Sequence, residues 1–408
     1  MEVAHQRCCG LDVHKKTVVA CLIVRGAGTA RREIRTFSTM TKDLLAMADW
    51  LEAAECTHVA MESTGSYWKP IYNLLEGSFT LLVANAQHLK AVPGRKTDVK
   101  DAEWIAQLLQ HGLLRASFIP GREERELREL TRYRTSLIRE RSAEVNRVQK
   151  TLEGANIKLA SVASNVVGAS GRAMLAAMIA GIDDATELAR LAQGRLREKH
   201  EALVDALSGR MSQHQRFLLG AQLRHMDELD AVVAEISTEI ERRLRPHVAT
   251  MERLRTIPGV GKRVAEVLVA EAGTDMGRFP TAAHFSAWAG VCPGNDESAG
   301  KRRSGRTRKG SPWLRVVLME AARSSSRTPT YLGAQYRRIA ARRGSKRSAI
   351  AVAHSILRIA YHLMSSPDAT YIDLGTNYLE RRTHERTRKL AIRKLESLGY
   401  AVSLEPVA

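Results

Sequence analysis

Residues 7–25 read RCCGLDVHKKTVVACLIVR, and this stretch decides the first part of the fold. Two segments rich in apolar and β-branched residues, Arg7 to Val13 and Thr17 to Arg25, flank a polar tripeptide at 14–16. The pattern predicts two strands joined by a hairpin turn. Asp12 lies inside the first apolar strand, where an unpaired charge would be costly. A functional or structural partner is therefore expected for its carboxylate.

Strand and helix signals alternate after this hairpin. The predicted elements follow in the order strand, helix, strand, helix, strand and helix at residues 32–38, 41–55, 58–62, 67–75, 79–85 and 98–111. Three strands followed by strands that alternate with helices indicate a mixed sheet flanked by helices. The first ~120 residues are therefore expected to form an α/β domain.

The rest of the chain has an all-α character. Residues 123–153 carry an apolar stripe among mixed charges, and residues 186–245 continue in the same style, which predicts a long helical or coiled-coil segment. Residues 160–185 are rich in small side chains and favour no single structure. A third segment begins near Met251, and the chain ends in a basic tail.

Composition narrows the class of protein. The 408 residues are 44% apolar and 26% charged, as in a globular protein of roughly two to three domains. Lys and Arg number 63 against 44 Asp and Glu, a net charge of +19 that predicts a polyanionic partner. The longest apolar run, 18–24, is too short to span a membrane, and no signal peptide is visible.

Nucleic acid is thus the expected partner, with no membrane, and a cytoplasmic location is expected. The five cysteines are an odd number and include no CxxC spacing, so neither a disulfide framework nor a zinc cluster is predicted.

Four acids are candidate metal ligands. They are Asp12 in the first strand, Glu62 at the end of another, and Asp98 with Asp101 at the start of the predicted helix 98–111. Residues i and i+3 share a helix face, so the last two point together. Carboxylate oxygens suit Mg²⁺ or Mn²⁺, which activate hydroxyl groups in phosphodiester chemistry. Structural hydrogen bonding or a helix-dipole role is the alternative for each acid alone.

The stretch LRTIPGVGKR at 254–263 is a candidate phosphate site. Its Pro-Gly-x-Gly core between apolar periodic segments resembles a helix-hairpin-helix turn. Gly259 and Gly261 allow close backbone approach, and Lys262 and Arg263 favour contact with phosphate. An ordinary helix–helix turn with a glycine cap is the alternative.

A basic loop provides the third candidate. Between Ala299 and Arg347 the chain has 15 Lys or Arg and a single acid, Glu320. Such a one-sided run predicts a nucleic-acid surface. Its leading residues are Lys301, Arg302, Arg303, Arg306, Arg308 and Lys309. Ser298 precedes them; by composition alone such a serine is a turn residue, because a hydroxyl is a weak nucleophile until activated.

Taken together, these motifs resemble one family, the DEDD transposases of IS110-type insertion sequences. The resemblance covers the first ~120 residues and the third segment, in the order that the family has. The matching stretches are GLDVHK at 10–15, ESTGSYW at 62–68, KTDVKDA at 96–102, IPGVG at 257–261, FSAWAG at 285–290 and ES at 297–298.

The resemblance implies an RNase H-like (RuvC-like) domain at 1–118, a helical or coiled-coil segment at 119–250, a mainly helical C-terminal transposase domain at 251–366 and a basic tail at 367–408. It implies a transposase that recombines insertion-sequence DNA under the guidance of an element-encoded RNA. It also implies a homo-oligomer, a dimer or tetramer.

By the same resemblance, Asp12, Glu62, Asp98 and Asp101 are catalytic metal ligands and Ser298 is the nucleophile. The family's Glu-Ser-Gly reads Glu-Ser-Ala-Gly at 297–300, so Ser304 remains a rival. Two other functions stay open: a RuvC-type metal-dependent junction nuclease, which needs the acids but no serine, and a non-catalytic nucleic-acid-binding protein.

Overall fold

A computed structural model describes residues 2–26, 30–63, 65–85, 101–294, 296–307 and 309–403, with only the backbone at 296–298 and 302–304. The chain divides into two compact units, 1–120 and 121–408, and each is described by itself. Within the described part, no helix combines the length and the apolar character that crossing a membrane requires.

The first unit is a five-stranded mixed sheet with helices on both faces. Its elements are β1 (Arg7–Val13), β2 (Thr17–Val24), β3 (Arg31–Ser38), α1 (Thr41–Ala53), β4 (His58–Glu62), α2 (Trp68–Leu75), β5 (Thr80–Ala84) and α3 (Asp101–Gln110). The strand order is β3-β2-β1-β4-β5. β1 pairs antiparallel with β2 and parallel with β4, and this layout fits an RNase H-like fold.

The two faces of the sheet are covered by different helices. Leu11 and Met61 point to one face and pack with Met47 of α1 and Ile71 of α2. Cys8, Ala60 and Ala84 point to the opposite face and pack against α3. Successive side chains of a strand point to opposite faces of the sheet, so every second residue of β1 and β4 faces α3.

The second unit begins with two long helices and four short ones between them. They are α4 (Arg122–Gly154), α5 (Leu159–Val162), α6 (Ala169–Ile179), α7 (Ala185–Arg190), α8 (His200–Leu207) and α9 (Gln213–Leu244). Ion pairs or hydrogen bonds join 126 to 243, 141 to 230 and 151 to 222, so α4 and α9 run antiparallel. Coiled-coil packing of this pair stays a prediction.

The segment between the two long helices has a core of its own. Leu159, Met174, Leu188 and Leu203 are buried together, and this cluster also contains Val148 of α4. The region 160–185, for which the sequence favoured no structure, contains α5 and α6. The predicted helical continuation over 186–245 is interrupted between α7 and α8 and between α8 and α9.

The remainder of the second unit is mainly helical. Its elements are α10 (Val248–Arg255), α11 (Lys262–Ala272), α12 (Ala282–Trp288), β6 (Asp296–Ser298), β7 (Lys301–Ser304), α13 (Pro312–Ser325), α14 (Tyr331–Arg343), α15 (Ser345–Ser365) and α16 (Tyr378–Glu396). Buried residues of α11, α13 and α15 share one core with Leu137 of α4 and Ile240 of α9.

Two ion pairs with buried carboxylates join α11 to α4. Arg134 and Glu266 form a pair whose side chains are 3% and 1% exposed. Arg132 donates two hydrogen bonds, of 2.7 and 2.8 Å, to the buried carboxylate of Glu271. Breaking such a pair from one side leaves an uncompensated buried charge, so these contacts fix how α11 lies on α4.

Candidate active site

Two of the predicted acids lie on neighbouring strands. β1 and β4 pair in parallel with Leu11 opposite Met61, so Asp12 and Glu62 come next along the same pairing. Alternate residues of a strand share a face. Asp12 therefore lies on the face of the sheet that packs against α3, and Glu62 lies on the same face as Ala60.

Gly10 brings α3 directly onto this face. A Cβ at Gly10 would lie 2.4 Å from the carbonyl oxygen of Ala102 and 2.4 Å from the amide nitrogen of Ala106. Only glycine permits such an approach between a strand and a helix backbone. The Cys8 thiol contacts the carbonyl oxygen of Ala106, so α3 runs antiparallel to β1. Its first residue, Asp101, thus lies at the Asp12 end of the sheet.

Burial and neighbouring charges both shift the pKa of the Asp12 carboxyl. Burial raises the pKa of the Asp12 carboxyl above its ordinary value; His14 lowers it, and the negative charges of Asp101 and Glu62 raise it further. His14 Nε2 lies 3.0 Å from Asp12 Oδ2, and the Asp12 side chain is 18% exposed. A cation held among these oxygens would relieve their repulsion.

The donor chemistry of this acid site fits a divalent cation. Its oxygens are those that Mg²⁺ or Mn²⁺ prefer, and the half-buried position limits competition from bulk water. Among the described residues, no three His, Cys, Asp or Glu side chains are already gathered at ligand distances. Asp98, the fourth predicted ligand, lies outside the described residues.

The predicted serine loop contains a short hairpin. β6 and β7 pair antiparallel with Ser298 opposite Lys301, so Ala299 and Gly300 form a two-residue turn. Their φ angles are +50° and +72°, as in the turns that match strand twist. The basic loop predicted from the sequence thus contains two short paired strands, which its charged sequence did not reveal. Ser298 lies beside the turn and Ser304 at the opposite end of β7.

The base of this hairpin is fixed to the helical core. The Gly294 amide donates to the Arg306 carbonyl over 2.7 Å, and Pro293 bridges to Thr307. Ser311, which caps α13 directly after the basic segment, donates to Glu271 over 3.2 Å. The hairpin is thus connected, through Glu271 and its ion pair with Arg132, to α4.

The predicted phosphate turn joins α10 to α11. Gly259 has φ +88°, and a Cβ there would lie 2.2 Å from the Ala321 carbonyl oxygen, so packing against α13 requires this glycine. Gly261 precedes α11, and a Cβ there would meet nothing within 4 Å. Lys262 forms an ion pair with Glu241, and Arg263 is exposed. Phosphate binding here stays a prediction.

The predicted basic surface is described in part. Lys301, Arg306 and Lys309 are exposed. Arg302 and Arg303 lie on β7, where only the backbone is described, and Arg308 lies outside the described residues. Contact of this surface with nucleic acid stays a prediction.

The sequence reasoning missed Glu266 and Glu271. Both are acids within the apolar stretch VAEVLVAEA of α11, at 264–272, and both are 1% exposed. The signal that singled out Asp12, an acid inside an apolar element, could have found them as well.

Comparisons with known proteins show that this chain is similar to transposases. Residues 9–157 match the family model of DEDD transposases of IS110, and residues 251–337 match the model described as transposase IS116/IS110/IS902 family. The chain belongs to this IS110 family of insertion-sequence transposases. The family implies DNA binding and DNA recombinase activity, and it suggests dependence on a divalent metal.

Two curated relatives agree. A family 20 transposase of Pseudomonas aeruginosa is 29% identical over 274 residues, which cover 65% of this chain and 70% of the relative. Transposase y4pF/y4sB of Sinorhizobium fredii is 26% identical over 335 residues, which cover 79% of this chain and 76% of the relative.

Proposed function

We propose that this transposase cuts and rejoins insertion-sequence DNA through a serine nucleophile assisted by a metal-binding acid set. Asp12, Glu62, Asp98 and Asp101 would hold Mg²⁺ or Mn²⁺, and Ser298 would attack the DNA. The observation that carries this proposal is that Asp12 and Glu62 share the face of the sheet on which α3 packs, and that Asp101 begins α3 at the same end. The bound cation would stabilise negative charge on the phosphate and lower the pKa of an attacking hydroxyl.

The serine step conserves the energy of the phosphodiester. The Ser298 oxygen bonds to phosphorus, and the bond from phosphorus to one deoxyribose oxygen breaks. The proton that leaves serine is balanced by the proton that the departing oxygen gains. A free deoxyribose hydroxyl then attacks the phosphoserine ester, joins the new strand and restores the serine.

The basic segment after Ser298 would neutralise the attacked phosphate. Exposed Lys301 and Arg306 support this role, since cations near the scissile group stabilise the charge of the transition state. The turn that precedes α11 would add backbone contacts with DNA through Gly261 and Arg263.

We further propose a guide RNA and a homo-oligomer. The net charge of +19 supports a large nucleic-acid partner. The RNA would come from the non-coding end of the element, and sequencing the RNA that co-purifies with the protein would identify it.

The proposed domains are the RuvC-like domain at 1–118, the helical segment at 119–250, the transposase domain at 251–366 and the basic tail at 367–408.

Trapping the covalent intermediate tests the serine. Labelled element ends are incubated with wild type, Ser298→Ala and the matched control Ser304→Ala, and the products are separated on denaturing gels. We expect a protease-sensitive, protein-linked band in wild type and Ser304→Ala, and none in Ser298→Ala.

Other results would contradict the assignment. Loss of the band only in Ser304→Ala would identify Ser304 as the nucleophile in place of Ser298. Free cut ends in every variant, with no linked band, would indicate a RuvC-type nuclease. A shifted but intact DNA in every lane would indicate a binding protein without catalysis.

A further inference from the structure

The helix α16 has no buried side chain. Residues 381–391, which form most of its length, are all exposed. A helix that buries no side chain gains little from packing on its own domain, and its stability needs either local charge pairs or a partner. α16 also lies outside both matched family regions, 9–157 and 251–337.

The first turn of α16 is nevertheless held in place. Arg338 of α14 donates to the Leu379 carbonyl oxygen and to the Thr383 hydroxyl, each over 3.1 Å. The Tyr331 and Tyr378 rings meet edge to face, with centroids 5.5 Å apart. The helix thus starts from a defined anchor on α14 and presents its remaining length to solvent.

The charge of α16 is strongly positive, and part of it follows a regular helical spacing. Seven Lys or Arg and three Glu lie between residues 378 and 396. Four of the cations are spaced at i, i+4, i+7 and i+11, within about 60° around the helix axis at 3.6 residues per turn. We call this set the basic stripe: Arg382, Arg386, Lys389 and Arg393.

The apolar residues of α16 do not favour a protein partner. Leu390 and Leu395 are 54% and 42% exposed, and they lie about 140° apart around the axis. A coiled-coil partner needs an unbroken apolar seam at heptad spacing, which α16 lacks.

We infer that α16 is an arm that binds duplex DNA, with the basic stripe on the phosphate backbone. The exposed cations Arg342 and Arg343 of α14 extend the same positive character. The major groove of B-form DNA admits a helix, whereas that of an A-form RNA duplex is too narrow, so the occupant is DNA. The inference concerns binding and does not rest on the proposed serine chemistry.

Two charge-matched variants test the arm in the full chain. One changes stripe residues, Arg386→Gln, Lys389→Gln and Arg393→Gln. The control changes cations on other faces of α16 and combines Arg381→Gln, Arg388→Gln and Lys394→Gln. Each removes two Arg and one Lys. The dissociation constant for a labelled DNA duplex is measured against salt concentration without divalent metal, so that no strand is cut.

The stripe variant should flatten the log–log salt slope by about 2.7, since each lost phosphate contact contributes about 0.9. The control should flatten it by less than about 1. Lys389 also pairs with Glu385, but an exposed i,i+4 pair adds little to stability. Both variants should keep the wild-type melting temperature, because no side chain of α16 is buried.

Equal loss of slope in both variants would contradict a specific role of the basic stripe in binding phosphates, because the arm would then contribute only diffuse charge. An unchanged slope in both would overturn DNA binding by α16. The same titration with an RNA duplex distinguishes the occupants: a larger loss for RNA than for DNA would assign the arm to RNA instead.

Discussion

The acid site and the serine hairpin are built in opposite ways. Asp12 lies in β1, most of whose residues are buried. The backbone of α3 packs directly against Gly10 of the same strand. Ser298 borders the exposed two-residue turn of a hairpin, and the base of that hairpin is fixed to the helical core. Packing therefore positions the acids, whereas a turn conformation positions the serine backbone, and substitutions in the two regions should have different effects.

The largest effect is expected at the acids. Asp12→Asn and Asp101→Asn each keep the size of the side chain but remove the charge of a proposed metal ligand. Strand cleavage should fall by about 10²- to 10³-fold, the order seen when one preorganised electrostatic group is lost. Binding of the uncut DNA should stay close to wild type, because the basic surfaces are unchanged.

A charge-matched control separates chemistry from general electrostatics. Asp49 is an exposed acid on α1, which covers the opposite face of the same sheet. Cleavage of labelled element ends by Asp49→Asn should proceed at the wild-type rate. Wild-type rates in both Asp12→Asn and Asp101→Asn would make these carboxylates structural and would end the metal proposal.

Much of the acid site could be predicted from sequence because its strands are short apolar runs and its acids interrupt them. The contact between Gly10 and α3 could not, since it depends on which helix covers which face. The β6–β7 hairpin was missed because Lys301, Arg302 and Arg303 conceal strand alternation. The short helices α5 and α6 were missed because small residues favour no single periodicity.

An intermediate effect is expected where packing positions the acids. Gly10→Ala places a Cβ against the backbone of Ala102 and Ala106, so α3 must shift. Such overpacking typically costs about 1–3 kcal/mol. Thermal and denaturant unfolding should show this loss, and cleavage should fall as Asp101 moves away from Asp12.

Gly26→Ala provides the control, because a Cβ at Gly26 meets nothing within 4 Å. Its unfolding free energy and cleavage rate should match wild type. If Gly10→Ala behaved like Gly26→Ala in both measurements, close packing of α3 would not be what holds Asp101 near Asp12.

The smallest effect is expected at the hairpin turn. Ala299 has φ +50°, a left-handed conformation that costs a residue with a Cβ roughly 1 kcal/mol. Ala299→Gly should relieve this strain and slow local opening, so amide hydrogen exchange in 296–304 should slow by up to about fivefold. Gly300→Ala, at φ +72°, adds the same strain at the neighbouring position and should speed exchange by a similar factor. Cleavage by Ala299→Gly should change less than cleavage by Gly10→Ala, because the glycine retains the turn and the base contacts through Glu271 are untouched.

A loss of cleavage in Ala299→Gly as large as that in Asp12→Asn would show that the strained turn itself positions the serine. The acid site and the hairpin would then depend equally on precise backbone geometry, and the contrast between them would fail.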